Sequence, residues 1–406
     1  MPMTFRILSL DGGGPWALLQ AMALERLYPG LDGHAILGRF DLAVANSGGS
    51  ITLAGLAKGL RPAEIAGMFL DRGWRERIFV RRSLFEKAID DPLADWSAEG
   101  KREGLRAVID AGLGDPLSGR GLSDVARFVE QRTGRAIRLM IAAYDVDRNR
   151  GRFFRSFQSE LSTETPAFEP SLVDAVHASS HAPVMYFAGC AVVRDRNRPG
   201  DERRFWDGAL GGVNNPVLAG VVEARALGEV DVAALSIGTG STWRPIASAA
   251  AAVHGEMLAQ AASLRLVDGL RRVAGTILED PPDNATRDAD VLASSGDQMR
   301  VVRLNPLIRP VRDDGIDGGR WRLPAGYAVM RPGHALGAFT DLRDMPMDAV
   351  AQGQVDLIAA LGRSWLAGDI PNQPLRWNPT DGTFLRGHAG FEGALACWRT
   401  LDPWRP

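Results

Sequence analysis

Lysine is almost missing from this 406-residue chain: Lys58, Lys87 and Lys101 are the only ones, so arginine carries nearly all of the 47 positive charges. Against 49 acidic residues the net charge is −2, which leaves no basic excess to hold a phosphate backbone and speaks against nucleic acid as a partner. Cysteine is equally scarce. Cys190 and Cys397 cannot build a disulfide framework and match no metal-ligand spacing, which points to a reducing cytoplasm. No apolar run reaches the roughly 18 residues of a membrane-spanning helix. The opening "MPMTFRILSL" runs straight into a strand-like segment, without the charged and apolar regions of a secretion signal. Any membrane contact is therefore expected to be peripheral.

What is present is ample core material, with 45 % hydrophobic residues, enough for a large α/β domain carrying insertions. Near-continuous apolar runs at 5–10, 40–45, 137–143, 230–238 and 299–305 read as strands covered on both faces, as in a mostly parallel sheet. Helical patterns lie at 16–27, 50–59, 62–69, 122–132 and 171–177. This alternation predicts a three-layer α/β/α sandwich. Charged, glycine- and proline-rich stretches at 194–204 and 279–298 read as exposed loops. From about residue 308 the composition shifts to tryptophan and proline, with a further helix expected at 347–361. The expected division is a main domain of 1–307 and an extension of 308–406 packed on it.

In parallel sheets ligands bind beyond the carboxyl ends of the strands, and two such ends carry unusual residues. After the first strand comes Asp11-Gly12-Gly13-Gly14, then Pro15. Successive glycines let the backbone approach a ligand and present several N–H groups, an arrangement suited to negative charge. The spacing of Gly12, Gly14 and Ala17 also fits the relaxed dinucleotide-binding fingerprint. That reading needs an acid at the end of the second strand, where Asn46-Ser47 stands instead. After the second strand, Ala45-Asn46-Ser47-Gly48-Gly49 has the form of a nucleophile elbow, with alanine at the first glycine. The alternative is a serine that merely caps the next helix.

A serine hydroxyl reacts only when a base takes its proton and donors hold the oxyanion. Gly48 and the loop of Gly12, Gly13 and Gly14 could donate. None of the six histidines stands at a marked strand end. His177 and His181 share a helical spacing but lack the glutamate of a zinc motif, and surface or cap positions are expected for them. Asp207, in "FWDGAL", is a better base, shielded by two aromatics and followed by small residues that admit another segment. A plain Asp-Gly turn is the alternative. The segment 72–89 mixes arginines with Trp74, Ile78, Phe79, Leu84 and Phe85, a pattern compatible with an anionic membrane surface or with a helix whose apolar side is core.

These pieces together resemble the patatin-like phospholipase family: "DGGG" after the first strand, "FD" at Phe40-Asp41 leading to the serine elbow, "ASSHAPVMYF" at 178–187, "DGA" at 207–209 and "LSIGTG" at 235–240. The resemblance spans roughly 5–240 and is absent beyond about 304. It implies an α/β/α sandwich and a Ser-Asp dyad without histidine, in which Ser47 is the nucleophile, Asp207 the base, and the amides of Gly12, Gly13 and Gly14, with Gly48, the oxyanion hole. The activity implied is hydrolysis of lipid carboxylic esters, phospholipid or lysophospholipid, through an acyl-enzyme. This chain has Pro15-Trp16-Ala17 where the family usually continues with a basic residue and a glycine. Two other functions stay open from sequence: a dinucleotide-binding protein using Gly12 and Gly14, and a non-catalytic relative that binds lipid or a partner.

Overall fold

Every residue of β1 (Phe5–Leu10) except Arg6 is buried, because the strand is central and helices cover both of its faces. The computed structural model describes residues 4–80, 82, 96–162, 167–182, 186–187, 189–198, 200–245, 255–258, 283–294, 298–312, 321–378 and 383–403. In one sheet, β1 is joined by β2 (Leu42–Ala45), β3 (Arg138–Asp145), β4 (Arg150–Arg155), β5 (Ala191–Arg194), β6 (Glu202–Asp207), β7 (Val232–Ile237) and β8 (Val301–Leu304). The order is β5-β6-β3-β2-β1-β7-β8, with β4 also on β3. The run from β3 to β8 is parallel, whereas β4, β5 and β6 run antiparallel to their neighbours.

Alternate residues of the central strands enter two separate hydrophobic clusters. Leu8 and Leu10 pack with the helices α1 (Leu18–Leu27) and α2 (Gly48–Lys58). Phe5 and Ile7 pack on the other face with Val217 and Val221 and with Ala289 and Ala293. Period-two alternation therefore divides the side chains between two helical layers, and the chain is a three-layer α/β/α sandwich with a mostly parallel sheet. The five apolar runs form β1, β2, β3, β7 and β8, and each predicted helix is present. The last of these, Gln352–Leu366, begins five residues later than 347.

The antiparallel strands depart from expectation. The stretch 194–204, read as an exposed loop, contributes the end of β5 and the start of β6, with Asp195 and Arg203 buried. The stretch 279–298, likewise read as a loop, is helical over 283–293; 279–282 and 295–297 lie outside the described residues. Of the segment 72–89, the helix Arg72–Ile78 buries Arg75 and Ile78, and Trp74 and Phe79 pack against the core. Leu84 and Phe85 lie outside the described residues.

The edges of β3 fix the site. Residues 140–145 pair with β4 along one edge. Along the other, β2 pairs with 138–141 and β6 with 143–145. β2 and β6 thus lie end to end on one edge of β3, their carboxyl ends facing each other across Ala142. The residues after β2 meet the last residue of β6.

Candidate active site

Ser47 is the second residue beyond β2 and has φ 48° and ψ −121°, a conformation that L side chains rarely adopt. α2 starts at Gly48 immediately after it. The serine makes no side-chain capping bond to that helix, so the capping alternative does not account for it. Small neighbours are obligatory here. A Cβ on Gly48 would lie 2.6 Å from the Gly14 carbonyl oxygen, and one on Gly49 would lie 2.4 Å from that of Leu10. Ala45, standing where the motif has glycine, is fully buried in the core, and β2 accommodates its methyl.

Asp207 ends β6 and is 3 % exposed; Ser47 is 5 % exposed. The Ser47 hydroxyl lies close enough to the Asp207 carboxylate to favour its charged form, so two residues 160 positions apart are brought together. The carboxylate accepts hydrogen bonds from Asn46 Nδ2 at 3.0 Å and from the Ala209 amide at 2.9 Å. The second of these is the Asp-Gly turn weighed as an alternative; Asp207 makes it and still reaches the serine. Burial raises the Asp207 carboxyl above its usual range, opposed by the nearby Ser47 hydroxyl, by the bonds from Ala209 and Asn46 and by the charge of Lys101.

The triple-glycine bend lies against this pair. A Cβ on Gly12 would come within 3.0 Å of Ser47 Cβ and 2.2 Å of Asn214 Oδ1. Gly14, at φ +53°, faces the Met347 carbonyl, 2.7 Å from where its Cβ would stand. The Gly12 amide donates to the Asn214 carbonyl at 2.9 Å. The amides of Gly13, Gly14 and Gly48 have no backbone acceptor among the described residues. Thr239 Oγ1 donates to the Gly12 carbonyl at 2.5 Å, and Gln20 Nε2 to that of Asp11 at 2.8 Å, so the bend is held from both sides. Beneath it, the Asp11 carboxylate pairs with Arg303 at 2.6 Å.

His177 and His181 are 3 % and 0 % exposed, which overturns their expected surface or cap placement. His181 stacks between Phe187 and Trp206, with ring centres 4.6 and 5.2 Å away. Burial, followed by the charge of Lys101, pushes its imidazole down to about 3. Burial likewise holds His177 well below the ordinary range. Neither ring hydrogen-bonds Ser47.

Sequence reasoning passed over Asn46, Ser179 and Lys101. Ser179 Oγ accepts the Ser47 amide at 2.9 Å and donates to Asn46 Oδ1 at 3.4 Å. The signal available was the serine pair after an apolar helix. For Lys101 it was the rarity of lysine itself: a chain that uses arginine almost everywhere places an ammonium at a buried position beside Asp207. Among the described residues no cluster of histidine, cysteine or acid has the makings of a metal site.

A family model described as patatin-like phospholipase matches residues 8–221. That span holds the glycine bend, the elbow, Lys101, Ser179 and Asp207, and stops short of Arg303. The cGAMP-activated phospholipase of Pseudomonas aeruginosa is 27 % identical over 322 residues, covering 75 % of this chain and 86 % of the relative. Among solved structures, VipD from Legionella pneumophila aligns over 89 % of this chain and 67 % of its own, with 12 % identity and a TM-score of 0.36. The type III effector protein ExoU aligns over 46 % and 40 %, with 16 % identity and a TM-score of 0.22.

Proposed function

Because the chain belongs to the patatin-like phospholipase family, we propose that it hydrolyses carboxylic esters of phospholipids or lysophospholipids, with Ser47 as nucleophile and Asp207 as base. The observation that carries this reading is the meeting of Ser47, in a strained backbone conformation beside the glycine bend, with the buried Asp207 carboxylate, which accepts from the adjacent Asn46 at 3.0 Å and is influenced by the Ser47 hydroxyl.

As Ser47 Oγ attacks the ester carbonyl, its proton passes to Asp207 and the carbonyl oxygen becomes an oxyanion. The amides of Gly13, Gly14 and Gly48 receive that charge. Gly12 shapes the bend instead, since its own amide is engaged by Asn214. Collapse of the tetrahedral intermediate expels the alcohol, which takes the proton from Asp207 and leaves an acyl group on Ser47. Water, deprotonated by Asp207, then releases the fatty acid. No metal or cofactor is needed for these steps.

Among the described residues no helix is long and apolar enough to cross a membrane, and we place the protein in the cytoplasm, meeting lipid at a membrane surface. We also keep the division into a hydrolase domain of 1–307 and an extension of 308–406. A fluorophosphonate probe tests the chemistry. It should label wild type at Ser47, and Ser47→Ala and Asp207→Asn should lose both labelling and fatty-acid release from phospholipid vesicles, read by mass spectrometry. Labelling at a different serine, or NAD binding without labelling, overturns the assignment. The name of the Pseudomonas relative adds activation by cGAMP, so the assay is run with and without that compound.

A further inference from the structure

Lys101 lies near the start of the helix Ala98–Asp110, which packs along Leu172–Ser179. Its side chain is fully enclosed, with 2 % of the residue exposed. A buried ammonium is unfavourable unless acceptors and an opposite charge surround it, so its contacts say what it does. Nζ donates to the Ser180 carbonyl and lies 4.4 Å from the centre of the Phe187 ring. The opposite charge acting on it is that of Asp207.

The carbonyl that Lys101 grips belongs to a three-residue strap touching both halves of the site. On one side Ser179 Oγ holds the Ser47 amide at 2.9 Å. On the other, the His181 carbonyl accepts the Asp207 amide at 3.0 Å. Residues 179–181 thus set the distance between the serine and the carboxylate, and the ammonium pins their middle.

The remaining charged and titratable groups nearby are directed elsewhere. Arg102, on the same helix, pairs with Asp174 at 2.6 Å and with Glu103 at 3.3 Å. The imidazoles of His177 and His181 are kept neutral, chiefly by burial. Tyr186 feels the charge of Asp348, whose carboxylate accepts from Trp96 Nε1. Lys101 is the cation that acts on Asp207.

We propose that Lys101 is a positioning residue for the Ser47–Asp207 pair: its ammonium fixes the 179–181 strap and keeps Asp207 as the carboxylate, the form able to take the serine proton. This rests on reading that pair as the dyad. Burial alone pushes the Asp207 carboxyl towards its protonated, inactive form, and the adjacent positive charge opposes that. The same burial holds the Lys101 ammonium down at about 7, so near neutrality the two charges depend on each other.

Removing the cation by Lys101→Met should move the acid limb of kcat/KM upward by about 1–3 pH units, measured on a p-nitrophenyl ester with the full chain. KM should stay unchanged, and Lys101→Arg should restore the wild-type limb. A cooperatively folded Lys101→Met protein with an unmoved acid limb overturns the proposal. A second measurement needs no turnover and no lysine variant. With only three lysines in the chain, 13Cε-lysine NMR resolves each of them. One lysine of wild type should titrate at about 7, and Asp207→Asn should lower that value. If every lysine titrates near its ordinary range, or if Asp207→Asn leaves the low one in place, the coupling does not exist. Fluorophosphonate labelling separates the two readings: an unlabelled Ser47 defeats the dyad, whereas a labelled Ser47 beside an uncoupled lysine defeats only the role of Lys101.

Discussion

Ser47 holds φ 48° and ψ −121°, and a non-glycine residue in so sparsely populated a region costs about 1–3 kcal/mol. Ser47→Gly should relieve that strain and raise stability by about 1 kcal/mol net of the extra chain entropy of glycine. Ser47→Ala, which keeps the Cβ, should give no such gain. Urea titration of the three proteins measures the difference; equal midpoints for Gly and Ala would mean that the elbow is not strained. At Gly14 the constraint has the opposite direction. Its φ of +53° and the Met347 carbonyl 2.7 Å from a built Cβ force the bend to shift if a methyl is added. Gly14→Ala should lower kcat by about 10²–10³, the effect of losing one oxyanion donor, with KM near wild type. These residues were legible in the sequence because serine between small residues and consecutive glycines are local signals. The side chains that hold them were not. Asn46, Ser179 and Lys101 matter through neighbours distant along the chain, and nothing adjacent to them announces those partners.

Strands covered on both faces are written as unbroken apolar runs, so β1, β2, β3, β7 and β8 could be read directly. The hairpin of β5 and β6 escaped because only its inner face is packed. Val193 and Phe205 point inward, while Arg194, Glu202 and Arg204 point to solvent. The inward Arg203 adds a further charge, neutralised by Asp201 and resting 4.2 Å from the Phe168 ring centre. Charge density imitates a loop there, yet this hairpin delivers Asp207 to the end of β2. β8 has a comparable hidden task. From that strand Arg303, 2 % exposed on its side chain, pairs with Asp11 at the root of the glycine bend and donates to Ser236 at 2.8 Å. Arg303→Met strands a buried carboxylate and should cost about 3–5 kcal/mol of stability. Adding Asp11→Asn should recover part of that loss, since residues in one network couple by about 0.5–3 kcal/mol. A double-mutant cycle in urea settles it; strictly additive losses would show that the ion pair is not what joins β8 to the bend.

Across the whole molecule the two ends of the sheet have separate duties. Ser47, Asp207 and the glycine bend gather at the carboxyl end of β2. At the amino end the helix Phe391–Leu401 closes the sandwich: Trp398 stacks on Phe40 with ring centres 5.9 Å apart and donates to the Tyr28 hydroxyl at 2.7 Å. Tyr28 in turn donates to Asp402 at 3.0 Å, and Arg39 pairs with the same carboxylate at 2.5 Å. Gln352–Leu366 lies on α1, where a Cβ on Gly362 would meet Met22 and Leu19. Residues beyond 308 therefore share the core with β1, and the proposed extension is expected to be structural at this end. Trp398→Ala removes a fully buried ring and should cost about 3–5 kcal/mol. Because the damage is at the far end of the sheet, fluorophosphonate labelling per folded molecule should match wild type at temperatures where the variant remains folded. A variant that is as stable as wild type, or one that stays folded yet loses labelling at Ser47, would show that the two ends are not the independent structures described here.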